Sequence, residues 1–239
     1  MKIKLILIII LLSISFPGLA CATLLTIGTA TYGGSDYKLI WDDDNNGNSV
    51  VWLDFTNTVA SWSEQIAWAT GLDTELTYNI EAAFKLSWSD DAWRLGETVD
   101  KPYVFGNDGT TTAGYGITSS EMGHLFYEDL GNLAYLDAVG AMQPGFGLQS
   151  TADFDNLVES YYWSGTEYSG NADHAWTFST EHGYQGLVDM PSGGYGLAVR
   201  SGQVSVTTPV PEPSTFLLLG AGLGGLALCR RRAKKVTDL

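Results

Sequence analysis

Apolar positions along this chain change rhythm several times. Short aromatic and β-branched runs at 37–41 and 49–54 flank the polar stretch Asp42-Asp43-Asp44-Asn45-Asn46-Gly47-Asn48, which predicts a β-hairpin. Ser61-Trp62-Ser63-Glu64 is a capping box opening a short helix, with Gly71 as its expected stop. Thr118-Ser119-Ser120-Glu121 is a second box. Met122, Leu125, Phe126, Leu130 and Leu133 follow at helical spacing, with Gly131 near the end. A third short helix is expected around 152–158. Strand-sized runs then occupy 161–164, 174–179, 184–188 and 195–200, and Glu181-His182-Gly183 reads as a hairpin turn. Hairpin, helix, irregular middle, helix and strands make an α+β pattern with segregated elements: one compact domain with short strands and two or three helices.

The two ends follow different rules. Lys2 and Lys4 precede an apolar run at 5–12, then Pro17-Gly18 and Ala20-Cys21-Ala22, which is the build of a secretory signal peptide over residues 1–22. The alternative is a lipoprotein acylated at Cys21. The domain proper is expected at 23–208. After it, Pro209-Val210-Pro211-Glu212-Pro213-Ser214-Thr215 is a stiff extended stretch, 216–229 is uncharged and apolar, and 230–235 is basic. As a helix the apolar run spans roughly 21 Å, short of the ~30 Å hydrocarbon core, and suits a segment held briefly and then cut. Gly220 to Gly225 satisfies G-x-G-x-x-G but lacks the flanking strand and acidic residue of a dinucleotide site, and reads as helix packing.

Val210, Pro211, Glu212, Pro213, Ser214 and Thr215, followed by the apolar run and Cys229-Arg230-Arg231-Arg232, resemble the PEP-CTERM sorting signal over 209–235. The resemblance implies an exosortase as processing enzyme beside signal peptidase. It also implies a Gram-negative host that makes exopolysaccharide, an inner-membrane intermediate held by the C-terminal helix, and a final place at the cell surface or outside it. A second resemblance lies in the body. Trp52-Leu53-Asp54, Trp93-Arg94-Leu95, Tyr162-Trp163-Ser164-Gly165, Ala175-Trp176-Thr177-Phe178 and Tyr195-Gly196-Leu197-Ala198-Val199-Arg200 are similar to the Lcl C-terminal-like family, which is related to C-type lectins. It implies a C-type-lectin-like domain with Trp52, Trp93, Trp163 and Trp176 in its core.

Charge narrows the function. The body holds five basic residues (Lys38, Lys85, Arg94, Lys101 and Arg200) against 25 acidic ones, a formal charge of −20. That excludes nucleic acid as a partner. Asp42, Asp44, Asn46 and Gly47 match D-x-[DN]-x-[DN]-G, with the Asn48 carbonyl next, so the turn is a candidate Ca2+ loop. Leu53 stands where a bidentate Glu is needed, and the same residues also suit a solvated turn. Trp41 and Trp88 are candidates for stacking on a sugar. Arg94 and Arg200 are expected to pair with carboxylates, and His124 with Glu128 across one helical turn. His124, His174 and His182 form no metal-binding motif, no nucleophile elbow occurs, and the body has no cysteine for formylglycine-type chemistry, so no catalytic residue is assigned. The expectation is an exported, non-enzymatic domain binding glycan or matrix; the alternatives are an architectural matrix protein and a glycan-active hydrolase.

Overall fold

The computed structural model describes residues 24–89 and 92–207. The signal peptide, the sorting motif, the apolar run at 216–229 and the basic tail lie outside the described residues. Among the described residues no helix is long and apolar enough to cross a membrane.

The chain forms strands β1 (Leu24–Tyr32), β2 (Ser35–Asn45) and β3 (Asn48–Ala60), helix α1 (Trp62–Glu75), and strands β4 (Thr77–Ile80), β5 (Phe84–Trp88), β6 (Arg94–Leu95), β7 (Phe105–Gly106) and β8 (Ala113–Tyr115). Helix α2 (Glu121–His124) runs into a π turn (Leu125–Asp129). Strands β9 (Tyr161–Glu167), β10 (His174–Ser179), β11 (Tyr184–Asp189) and β12 (Gly194–Val206) complete the domain. The strands join in one mixed sheet ordered β4-β1-β2-β3-β12-β9-β10-β11-β8-β7, with β5 and β6 also paired to β12. This overturns the α+β, lectin-like expectation: twelve strands stand against two helical segments among the described residues.

Each misjudged element has a local cause. The hairpin loop is two residues, not seven, because Asn46 (φ 54°) and Gly47 (φ 82°) make a primed turn that closes on the Asn45–Asn48 pair. Helix α1 opens where Ser61 N donates to Glu64 Oε2 at 2.9 Å, but it passes through Gly71. Burial of Leu72 and Leu76 outweighs the ~1 kcal/mol that a helical glycine costs. The second helix is cut to four α residues and a π turn, with Leu130 N bonding Leu125 O. The third does not form. Asp54 takes the backbone N–H groups of Asp155 and Asn156, both at 2.9 Å, so they serve a loop instead of a helix.

Strand β3 explains the two-sided core. Val50, Val51, Trp52 and Leu53 are all fully buried. Val50 and Trp52 pack with Met122, Leu125, Phe126 and Phe178 on one face of the sheet. Val51 and Leu53 pack with Ile27, Leu72, Trp93 and Ala198 on the other. With both faces covered, the strand reads as an unbroken apolar run, not an alternating one. Strand β12 is the hub. It pairs antiparallel with β3, β5 and β6, and parallel with β9 at Tyr195–Tyr162.

Candidate functional site

Beyond β12 the sheet carries a row of aromatic residues. Tyr161 of β9 pairs with Ser179 of β10, Ser179 with Tyr184 of β11, and Tyr184 with Tyr115 of β8. Residues directly opposite in adjacent strands point to the same face. Three tyrosines therefore share one surface, with a small serine leaving room among them. Tyr135 and His182 complete a cleft of about 390 Å3.

The loops at its rim are tied down. Tyr127 accepts a hydrogen bond from Gly116 N at 3.0 Å and donates to Gly183 O, linking the segments that present Tyr115 and His182. Tyr135 N bonds His182 O at 2.8 Å. The His182 ring stacks on Phe146 at 6.0 Å, and Tyr135 meets both rings edge-on. At the other side the Tyr103 and Tyr184 hydroxyls are 3.1 Å apart, and Tyr103 stacks on Trp176. Tyr161, Tyr103 and Phe105 are exposed. Burial pushes the Tyr115 and Tyr184 hydroxyls above the ordinary phenol value, so both remain protonated donors at neutral pH. The lining offers planar faces and hydroxyls, with a single ionisable imidazole. It can hold a flat, uncharged, hydroxylated ligand. A larger recess of about 560 Å3, bounded by Ala172, Asp173, Asp189, Met190, Pro191 and Ser192, presents no aromatic ring.

The residues singled out from sequence lie elsewhere. Asp42 is fully buried and accepts from Asn45 Nδ2 at 2.8 Å and from Trp52 Nε1 at 3.3 Å. Asp44 is exposed and caps its own turn through Gly47 N. Asn46 reaches Ser120 O and Asn48 reaches Asn46 O, each at 3.4 Å. The structure thus does not gather Asp42, Asp44, Asn46 and Asn48 around one point. Trp41 is half-buried, with its indole N–H on Ser49 Oγ. Trp88 is half-buried beside Tyr78 and Trp93, with the Arg200 guanidinium 4.7 Å above it. Asp90 and Asp91, its sequence neighbours, are outside the described residues. Arg94 holds Glu121 through two bonds of 2.5 and 2.8 Å, and Arg200 holds Asp73 at 2.7 Å. His124 faces Asp129 rather than Glu128, because the π turn brings residues five apart to the same side.

Burial raises the carboxyl pKa of Asp42 and pushes that of Asp129 up to about 8, the latter also through its neighbour Asp42. Among the described residues no three His, Cys, Asp or Glu side chains form a ready metal centre. The five cleft residues belong to no sequence motif. Tyr115, Tyr161 and Tyr184 share one sequence signal, a tyrosine at the end of a strand-sized run; Tyr135 and His182 have none.

Residues 209–232 match the PEP-CTERM protein-sorting motif. No curated protein matches the chain, and no solved structure does. The C-type-lectin-like resemblance of the body therefore has no support from relatives. The motif marks an exosortase-sorted, exported protein with a membrane-anchored intermediate.

Proposed function

We propose that the exported domain binds an uncharged polysaccharide strand in the tyrosine-lined cleft, and that it does so at the cell surface or in the matrix, among exopolysaccharide. It acts by binding rather than turnover. The observation that carries this reading is the single register row placing Tyr161, Tyr184 and Tyr115 on one face, where pyranose rings can pack on them. The formal charge of −20 on the body favours a neutral polymer over an anionic one.

The test is a glycan array followed by co-sedimentation with the host's own polysaccharide. Tyr161→Ala and Tyr184→Ala are each expected to weaken binding roughly five- to tenfold, from about 1–1.4 kcal/mol of ring contact. Trp41→Phe, remote from the cleft, leaves binding unchanged. Absence of any bound glycan, or equal affinity in all three variants, overturns the proposal and favours a purely architectural role. Release of shorter saccharides from the polymer would instead favour a hydrolase.

A further inference from the structure

The outer end of the Tyr184 ring occupies the place of a missing side chain. Gly186 lies two residues along β11, on the same face of the sheet. A Cβ on it would stand 2.4 Å from Tyr184 Cε1 and 2.9 Å from both Cζ and the hydroxyl oxygen. Two carbons in contact sit roughly 3.5–4.0 Å apart, so the ring keeps this place only while residue 186 is glycine. A glycine inside a strand weakens it and often marks a close approach. Here the group that approaches is the Tyr184 ring, and Gly186 is buried beneath it.

The hydroxyl end of the ring is held as well. The Tyr184 and Tyr103 hydroxyls are 3.1 Å apart, one donating to the other. Tyr103 is itself anchored. Its ring stacks on Trp176 at 17° from parallel, and its backbone N–H donates to the Tyr168 hydroxyl at 3.3 Å. Tyr115 meets the Tyr184 ring edge-to-face with centroids 5.4 Å apart. Turned away from Gly186, the ring would meet Ser179 or Tyr115, its partners in the strands on either side, or His182 behind it. Each of those directions leads into the space of the cleft.

We propose that Gly186 is a positioning residue of the glycan site. Its missing side chain, with the Tyr103 hydroxyl at the other end, lays Tyr184 along β11, so the cleft stands open and one stacking face is set before a polysaccharide arrives. A ring fixed in advance need not be ordered when the ligand docks. Gly186 touches no sugar and acts through Tyr184. The role rests on the reading of the cleft as a polysaccharide site.

The first arm of the test needs no ligand. In the full chain, the assigned Gly186 α-proton signal is expected to carry a ring-current shift that disappears in Tyr184→Leu. The second arm is co-sedimentation with the host's own polysaccharide. Gly186→Ala is expected to weaken binding roughly five- to tenfold, as Tyr184→Ala does. Its Tm falls by no more than about 4 °C, because only the free end of a side chain is displaced. The double variant binds no worse than Tyr184→Ala alone, since no ring is left to displace. If Gly186→Ala does not fold, Tyr103→Phe decides: freeing the hydroxyl end is expected to weaken binding and reduce the shift on Gly186, and no change in either overturns the proposal. An unmoved Gly186 signal in Tyr184→Leu overturns the positioning role and leaves the cleft a glycan site. Wild-type affinity in Gly186→Ala, or losses that multiply in the double variant, overturn it too. A wild type that shows the ring-current shift but binds no polysaccharide defeats the glycan reading, and with it any role for Gly186 in binding.

Discussion

At the scale of single residues, the fold uses its few donors on buried or shielded carboxylates. Glu121 receives two bonds from Arg94 and one from Glu97 N at 2.7 Å. Glu121→Ala removes the two-bond partner of a partly exposed guanidinium, which keeps Leu95 O and Glu97, and we expect about 2–3 kcal/mol lost in urea unfolding. Asp100 accepts from Ser169 N and from Trp176 Nε1 at 3.0 Å, and these bonds hold its pKa below the ordinary carboxylate value. A depressed folded pKa gives stability that is present above the unfolded value and lost as pH falls through the folded one. The Trp176 indole resonance should therefore shift only in acid, below the ordinary carboxylate range, and Asp100→Asn should abolish that titration. The core tryptophans were legible at this scale. Trp52, Trp93, Trp163 and Trp176, expected in the core from the phrases they belong to, are 0–1% exposed. The tyrosine cleft was not, because exposure there depends on how four strands align, which no single stretch of sequence encodes.

At the scale of elements, backbone approach decides what side chains cannot. Strands β7 and β8 lie so close that a Cβ on Gly114 (φ +111°) would come within 1.8 Å of Gly106 O. Gly114→Ala should part the two strands, cost upwards of about 2 kcal/mol, and raise hydrogen exchange at 103–106, next to the cleft. The hairpin and the four late strands were readable from their aromatic and β-branched runs. Strand β1, with the composition Leu-Leu-Thr-Ile-Gly-Thr-Ala-Thr-Tyr, offered small residues and no clear alternation, and escaped notice. The shortened second helix was hidden for a different reason. Met122, Leu125, Phe126 and Leu130 pack into one cluster, as their spacing implied, but Leu133 lies past the helix and is exposed, and the π turn inserts an extra residue and moves Asp129, not Glu128, beside His124.

At the scale of the whole molecule, an acidic, lysine-poor domain is joined to a sorting segment at 209–232. Substituting Pro211, Glu212 and Pro213 with alanine should leave an unprocessed precursor in the membrane fraction, read by immunoblot, while the domain keeps its Tm. β12 is the hub of the sheet and ends at Val206, two residues before the sorting segment's approach. Four earlier strands have no shared neighbour until that stretch arrives. A chain exported with its N-terminal residues ahead therefore has an incomplete sheet until residues 194–206 have followed. A cut beyond residue 207 would leave all twelve strands of the described residues in one product, the last of them a strip of thirteen residues on which the rest of the sheet is assembled.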